Sequence, residues 1–228
     1  MKRFLLQLWR EWFRPFLVAA AIVLPFKSAI ADWNYVPSGS MKPTILEGDL
    51  VYVNKLAYDL RVPFTFTRLA RWADPARGDI VVCFSPADGT RLVKRVIGLP
   101  GDMVELRNHR LFVNGAPAVY TYLDANEMSH LPAADRAADF FAREDLGGRV
   151  HAVMIDPRRP ALRSFAAAKV PAGSYLVMGD NRDNSFDSRF FGFVQRGQII
   201  GKAVRVLGSV DLDHWACPRF DRFGQALE

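Results

Sequence analysis

Short apolar runs separated by turn residues constrain the fold of this chain more than any other feature. The runs are rich in Val and Ile and span four to eight residues, which is typical of strands. Asn114-Gly115 and Pro100-Gly101-Asp102 mark turns. The pattern predicts a mainly β fold with antiparallel strands. The candidate strands are 49–54, 79–84, 91–97, 102–107, 110–113, 149–155, 174–178 and 199–206.

Residues 116–170 carry fewer strand signals and have a mixed, polar composition. One stretch within them, 132–144, has a helical pattern. We therefore predict that 116–170 is a variable region inserted into a β core formed by 32–115 and 171–228.

The N-terminal segment contains an apolar run from Phe16 to Phe26. With the residues that follow, it reaches about sixteen residues, slightly short of the ~20 of a typical membrane helix. Lys27 lies near its far end, where the side chain could snorkel to the interface. Cations before the run and tryptophans around it are typical of a membrane helix with its N-terminus in the cytoplasm. These residues are Lys2, Arg3, Arg10 and Arg14, and Trp9, Trp12 and Trp33.

We predict a cytoplasmic segment at 1–14, a single membrane anchor at 15–31, and a domain outside the cytoplasm from residue 32 onward. Two alternatives remain open. Ala29-Ile30-Ala31 matches the A-x-A pattern of a cleaved signal peptide, so the chain could be cut after Ala31. The run could instead be a buried core helix.

Composition narrows the function classes. The chain has 30 Lys and Arg against 24 Asp and Glu, a mild excess spread along the sequence, so we expect membrane lipid and no nucleic acid as a partner. The four histidines lack metal-ligand spacing, and we expect no metal and no organic cofactor. Cys83 and Cys217 lie far apart, and their spacing does not decide whether they pair.

The motif Pro37-Ser38-Gly39-Ser40-Met41-Lys42-Pro43-Thr44 is an ordered, non-helical segment close behind the anchor. At ~3.3 Å per extended residue, Ser40 lies within about 30 Å of the membrane face. Alone, the motif could equally be a polar linker.

A second motif runs from Arg91 to Asp102, and its candidate strand places Lys94 between Leu92 and Val96 on one face. Desolvation lowers the pKa of a lysine, and a neutral amine can act as a general base. A lysine that snorkels from an edge strand is the alternative.

The third motif, Gly179-Asp180-Asn181-Arg182-Asp183-Asn184-Ser185-Phe186-Asp187-Ser188-Arg189, follows the candidate strand that ends at Met178. Neither calcium-loop frame, from Asp180 or from Asp183, supplies the Gly and the closing Glu of an EF-hand. We interpret it as a hydrogen-bonded loop that supports a catalytic site.

Taken together, PSGSMKPT, KRVIGLPGD and GDNRDNSFDSR resemble the motifs of bacterial type I signal peptidases, in that family's order and behind a membrane anchor. The resemblance covers roughly 15–115 and 170–207. It implies an antiparallel β catalytic core with a smaller β-rich insertion, in the bacterial cytoplasmic membrane with the catalytic domain on the outer side. It also implies a serine endopeptidase that cuts signal peptides from preproteins after small residues (A-x-A).

The resemblance assigns roles residue by residue. Ser40 matches the nucleophile and Lys94 its general base, a pairing consistent with known Ser–Lys chemistry. Ser38 matches a donor to the oxyanion, and Ser185 matches the hydroxyl that orients the lysine. The remaining matches are two supporting ion pairs, Asp187 with Arg189 and Asp180 with Arg95.

Phe186 departs from the family, which usually has a small residue there. Trp215, Phe220 and Phe223 could dip into the outer leaflet or could close the core. The main alternative function is a Ser–Lys peptidase with a narrow substrate set for secretion or conjugation machinery. A self-cleaving repressor and an inactive peptide-binding module are less consistent with the anchor and with the motifs.

Overall fold

The computed structural model describes residue 7 and residues 9–65, 67–212 and 214–227. Lys2 and Arg3 of the predicted cytoplasmic segment lie outside the described residues. A π-helical turn at Trp9–Phe13 leads into helix α1, Arg14–Ala29. The helix Trp9–Ala29 has 21 residues, and an 18-residue stretch of it has a mean hydropathy of 1.3, which is enough to cross a membrane by length and composition. Its apolar side chains are mostly exposed, so the core-helix alternative does not hold.

The largest sheet has eight strands, in the order β1-β2-β16-β5-β6-β14-β15, with β17 paired to β16. Each of these strand pairs is antiparallel. The strands are β1 (Ala31–Tyr35), β2 (Asp49–Asn54), β5 (Ile80–Phe84), β6 (Arg91–Gly98), β14 (Ser174–Met178), β15 (Val194–Gln195), β16 (Ile199–Asp211) and β17 (Cys217–Pro218).

Three smaller antiparallel sheets complete the fold: β3-β4, β10-β11-β12 and β13-β7-β8-β9. Their strands are β3 (Asp59–Arg61), β4 (Arg68–Arg71), β7 (Met103–Arg107), β8 (Arg110–Val113), β9 (Ala116–Pro117), β10 (Val119–Leu123), β11 (Phe140–Asp145), β12 (Val150–Ile155) and β13 (Phe165–Lys169). The mainly β fold class, preceded by an apolar helix, is confirmed.

The four-stranded sheet crosses the domain boundary predicted at residue 116. Its strand β13, from the predicted insertion, pairs with β7, from the predicted core. This pairing was invisible in the sequence because it joins residues some sixty positions apart, such as Met103 and Lys169.

The predicted helix at 132–144 is only partly correct. Helix α2 covers Ala133–Ala138, and the remainder becomes β11. Strand β11 lies between β10 and β12, with Phe141 buried beneath it. Pairing on both edges of β11 overrides the local helical pattern of its residues.

Strand β6 is buried on both faces, which places a lysine inside the protein. Val81, Cys83 and Val96 belong to one apolar cluster, and Ile80, Val82 and Val93 belong to another on the opposite face of β5 and β6. Neighbouring residues of a strand point to opposite faces. Lys94 and Arg95 therefore project from β6 in opposite directions.

The junction between the helix and the sheet is fixed by Lys55. Its ammonium group donates to the carbonyl oxygens of Lys27 and Ser28 at 2.9 and 3.0 Å and lies 3.2 Å from a carboxylate oxygen of Asp32. Helix α1 ends at Ala29, two residues before the predicted end of the anchor, because Ala31 already pairs with Asn54 in β2.

The C-terminal aromatics do not close the core, one of the two alternatives drawn from the sequence. The exposed fraction is 99% for Trp215, 74% for Phe220 and 45% for Phe223.

Candidate active site

Ser40 is held by the third motif. It lies in a single 3-10 turn, Gly39–Met41, shortly after β1. The Ser40 carbonyl accepts a hydrogen bond from the backbone N–H of Asn181 at 3.1 Å, and the Asn181 side chain donates to the Gly39 carbonyl at 3.1 Å. These two bonds join segments about 140 residues apart and fix the serine loop against the loop that follows β14.

Lys94 meets Ser40 directly. The Lys94 Nζ donates to the Ser40 Oγ at 2.6 Å, and the lysine is 2% exposed. Burial lowers the pKa of the Lys94 amine, although the Asp187 carboxylate opposes this effect. A hydroxyl next to an amine that has lost its proton is the arrangement needed to generate an alkoxide-like nucleophile.

Asp187 and Arg189 form a buried ion pair close enough to influence Lys94. Two hydrogen bonds of 2.8 Å join the guanidinium to the carboxylate. The carboxylate also accepts from the backbone N–H of Gly179 at 3.0 Å. Burial alone would raise the pKa of Asp187, but the hydrogen bonds from Arg189 hold it below its usual value. Asp187 therefore stays charged.

Arg95 and Asp180 form the second pair, on the other face of β6. The Nε and Nη2 atoms of Arg95 each donate to the carboxylate at 2.8 Å, and the Thr44 hydroxyl donates to it at 2.6 Å. Burial acts to raise the pKa of Asp180, while the Arg95 charge lowers it below the ordinary value. Thr44 belongs to the first motif, so this pair links all three motifs.

Among the described residues, neither Ser38 nor Ser185 is hydrogen-bonded to Lys94. Ser38 is exposed, and its hydroxyl makes no hydrogen bond to any residue that the structure describes. The Ser185 hydroxyl lies against Gly179, where an added Cβ would collide with it and with the Ser40 carbonyl. Within the described part of the chain, no hydrogen bond joins Ser185 to Lys94, so its orienting role remains a prediction.

Phe186, the residue that departs from the family pattern, packs against a neighbouring aromatic side chain. Its ring is 55% exposed and stacks on Phe190 with 5.4 Å between ring centroids.

Sequence analysis missed a buried polar network behind the third motif. The Arg182 Nη1 donates to a Glu144 carboxylate oxygen at 2.8 Å, and the Tyr120 hydroxyl also donates to this carboxylate. Burial acts to raise the pKa of Glu144, but the Arg182 charge lowers it. Glu144 lies in the stretch that was predicted to be a helix. Its only sequence signal as a functional residue is that it is charged and lies in a stretch that also contains apolar residues.

The cysteines form no disulfide. Cys83 and Cys217 are both free, and burial raises the pKa of the Cys83 thiol to about 12. Among the described residues, no group of three or more His, Cys, Asp or Glu side chains could hold a metal ion.

Comparison with known protein families and with individual proteins places this chain among signal peptidases. Residues 9–207 match the family model "Signal peptidase, peptidase S26". Signal peptidase I of Pseudomonas fluorescens is 37% identical over 94% of this chain and 78% of its own length, and that of Pseudomonas aeruginosa is 35% identical with the same coverage. A crystal structure of a signal peptidase I from Enterococcus faecalis V583 is 32% identical and covers 57% of this chain and 97% of its own, with a TM-score of 0.34.

These matches define the chain as a serine endopeptidase that acts on proteins bearing signal peptides. It belongs to the peptidase S26 family of signal peptidases. The family resemblance stated from the three motifs is therefore confirmed, and the apolar helix at its N-terminus is consistent with a membrane-anchored member.

Proposed function

We propose that this chain is a membrane-anchored enzyme that removes signal peptides after A-x-A sequences with Ser40 as the nucleophile and Lys94 as the general base. The observation that carries the proposal is the 2.6 Å hydrogen bond between the Lys94 amine and the Ser40 hydroxyl, in a place where the amine is shielded from water.

In the first half of the reaction, the Ser40 Oγ attacks the carbonyl carbon of the scissile peptide bond, and its proton passes to the Lys94 Nζ. The resulting ammonium then gives that proton to the leaving amine, which departs with the mature protein. In the second half, water loses a proton to the Lys94 Nζ and attacks the acyl carbonyl carbon. The ester bond to the Ser40 Oγ then breaks, Lys94 returns the proton to that oxygen, and the signal peptide is released with a new carboxyl terminus.

Negative charge develops on the carbonyl oxygen at each half-reaction. The backbone N–H of Ser40 and the hydroxyl of Ser38 are the proposed donors to this oxyanion. Ser38 is exposed and has no competing partner in the described chain, so its hydroxyl is available to rotate toward a substrate. A donor fixed before the reaction contributes most when water is excluded by the bound peptide.

Two unpaired strand edges support binding of the cleavage region as an extended strand. Among the described strands, β1 pairs with β2 alone. Residues 91–94 of β6 pair with β5, and pairing with β14 begins only at Arg95. An extended peptide can hydrogen-bond to such edges. The Arg91–Asp32 ion pair, 3.0 Å long, brings the beginnings of β1 and β6 together.

The proposed orientation places 1–14 in the cytoplasm and the catalytic domain on the outer side of the bacterial cytoplasmic membrane. Lys27 supports this boundary, because its ammonium leaves the apolar helix for the Trp33 ring, 4.0 Å from the ring centroid, and for Asp32 at 3.7 Å. Ser40 lies five residues after the end of β1, in the turn Gly39–Met41.

The experiment is cleavage of a model preprotein with an A-x-A site by the detergent-solubilised full chain. We expect the wild type and the exposed-lysine control Lys169→Ala to release product cut after the second alanine, and Ser40→Ala and Lys94→Ala to release none. Folding of each variant is checked by circular dichroism. Activity in Lys94→Ala would refute the proposed base, and a wild type that cuts only a few of many preproteins would favour a narrow-substrate peptidase.

A further inference from the structure

A polar cavity of about 460 Å³ adjoins the largest sheet, and neither Ser40 nor Lys94 lines it. It is built by the turn before β5, by β6 and β16, and by the hairpin between β11 and β12. A volume of this size falls within the range of small-molecule sites, ~300–1,000 Å³. The side chains that give it its charge are Arg77, Asp79, Arg95, Arg149, His151 and Lys202.

Positive charge predominates in the lining. Four side chains are guanidinium or ammonium groups, against one carboxylate, Asp79. That carboxylate is already occupied, since it accepts from the Lys202 Nζ at 2.6 Å and from the Tyr58 hydroxyl at 2.7 Å. Arg77 and Arg95 pair with Asp102 and Asp180, and neither of these carboxylates lines the cavity.

Two side chains that line the cavity have nitrogen atoms without a hydrogen-bond partner among the described residues. The Arg149 guanidinium makes no hydrogen bond or ion pair with the described residues, and the stem of the side chain packs over Gly78 at the cavity wall. The His151 side chain is 2% exposed; its Nε2 lies 3.2 Å from a Glu144 carboxylate oxygen, and its Nδ1 has no hydrogen-bond partner among the described residues. A buried polar group without a partner costs free energy unless something binds it.

We propose that this cavity binds the phosphate group of a small ligand, with Arg149 as the principal contact and Lys202 and His151 beside it. A guanidinium presents parallel N–H groups that match two oxygens of a phosphate, and the bonds are charge-assisted. The single lining carboxylate is bonded to Lys202, so it leaves the Arg149 side of the cavity free for an anion.

The cavity is separate from the catalytic pair. Arg95 lines it, while Lys94 projects from the opposite face of β6. The two are nevertheless connected, because Arg95 donates to the Gly78 carbonyl at 2.8 Å and also holds Asp180 of the third motif. An anion bound in the cavity would therefore lie next to the turn that contains Gly78, to which Arg95 is hydrogen-bonded.

The test compares thermal unfolding of the full chain in a nonionic detergent with inorganic phosphate or with chloride at equal ionic strength. Binding to the folded state raises Tm as the phosphate concentration exceeds Kd. We expect this rise in the wild type and in Arg110→Ala, a control that removes an exposed guanidinium on β8 outside the cavity. In Arg149→Ala, calorimetry should give a Kd about tenfold weaker, as expected for loss of one charge-assisted contact.

A second arm identifies the source of the phosphate. The same proteins are placed in phosphatidylcholine nanodiscs with or without phosphatidylglycerol, and no free phosphate is added. A rise in Tm with phosphatidylglycerol that Arg149→Ala abolishes would assign the site to a lipid headgroup. A response to free phosphate alone would assign it to a soluble phosphorylated compound. The absence of any response in both arms, or an equal response in Arg149→Ala, would overturn the proposal. Preserved cleavage by Arg149→Ala would verify that this variant is folded.

Discussion

Neutralising Asp187 or Arg189 should displace the pH dependence of cleavage in opposite directions. The Asp187 carboxylate raises the pKa of the Lys94 amine, and the Arg189 guanidinium lowers it. Asp187→Asn removes the negative charge, so the pKa of Lys94 falls and the enzyme stays active to lower pH. Arg189→Met removes the positive charge, so the pKa rises and activity is lost at a higher pH than in the wild type.

The size of the effect on cleavage follows from the equilibrium between the protonated and the neutral Lys94 amine. An ordinary lysine pKa of 10.5 would leave only about 1 amine in 3,000 neutral at pH 7. Below the pKa of Lys94, the neutral fraction falls about tenfold per pH unit. In the wild type, log kcat/KM should therefore rise with unit slope on the acidic limb and reach a plateau below pH 10.5. Each unit of displacement of that limb corresponds to ~1.4 kcal/mol of altered interaction with the ammonium.

The assay is kcat/KM for a model preprotein as a function of pH, with the full chain in detergent. Asn at 187 retains an oxygen that can accept from the Gly179 N–H, so the loop keeps that bond. Glu105→Gln is the matched control, because Glu105 and Arg107 form a bidentate pair with the same two-residue spacing on the protein surface. The electrostatic reasoning would be refuted if Asp187→Asn and Arg189→Met displaced the acidic limb in the same direction, or if neither variant displaced it. A wild-type profile without a plateau below pH 10.5 would show that burial does not lower the lysine pKa.

Three further predictions concern the serine loop and the anchor. Ser38→Ala should remain partly active, with kcat lower by ~10²–10³ if its hydroxyl donates to the oxyanion, and an unchanged kcat would exclude that role. Gly179→Ala should lower both kcat and Tm, because its Cβ would collide with the Ser40 carbonyl. Overpacking of this kind costs ~1–3 kcal/mol, so wild-type melting and activity would contradict the contact. The purified chain should keep its anchor, since Ala31 is 8% exposed and paired with Asn54. Intact mass measures this, and a product beginning at Asp32 would show that the junction opens.

The local features of the fold could be predicted from sequence, and the long-range ones could not. Every candidate strand has a counterpart, since a run such as 91–97 carries its own apolar and turn signals. Strand β1 was missed because Asp32 and Asn34 interrupt its apolar pattern, and it forms by pairing with β2. Strand β16 extends to Asp211, five residues beyond its prediction, because β2 and β17 provide partners for the additional length.

The candidate site likewise combines residues that could be predicted from the sequence with contacts that could not. Residue types and motif order pointed to Ser40 and Lys94, and the fold places their side chains in contact. The network of Glu144 with Arg182 had no such signal, because it depends on a parallel bridge between Met154 and Asn181 that brings the inserted sheet to the third motif. Contacts of this kind are set by tertiary pairing and leave no local pattern in the sequence.

Lys94, the proposed general base, differs from Lys42 in the groups that its amine contacts. Lys42 is only two residues from Ser40, but its ammonium lies 2.9 Å from Asp135 and 3.3 Å from Glu47. Burial acts to lower the pKa of Lys42, and these two carboxylates raise it above the ordinary value. Lys94 has a neutral hydroxyl as its hydrogen-bond acceptor, so the cost of burying its charge is not compensated by a bonded carboxylate and the amine tends to lose its proton. A carboxylate bonded directly to Lys94 would therefore be expected to abolish activity even with every motif intact.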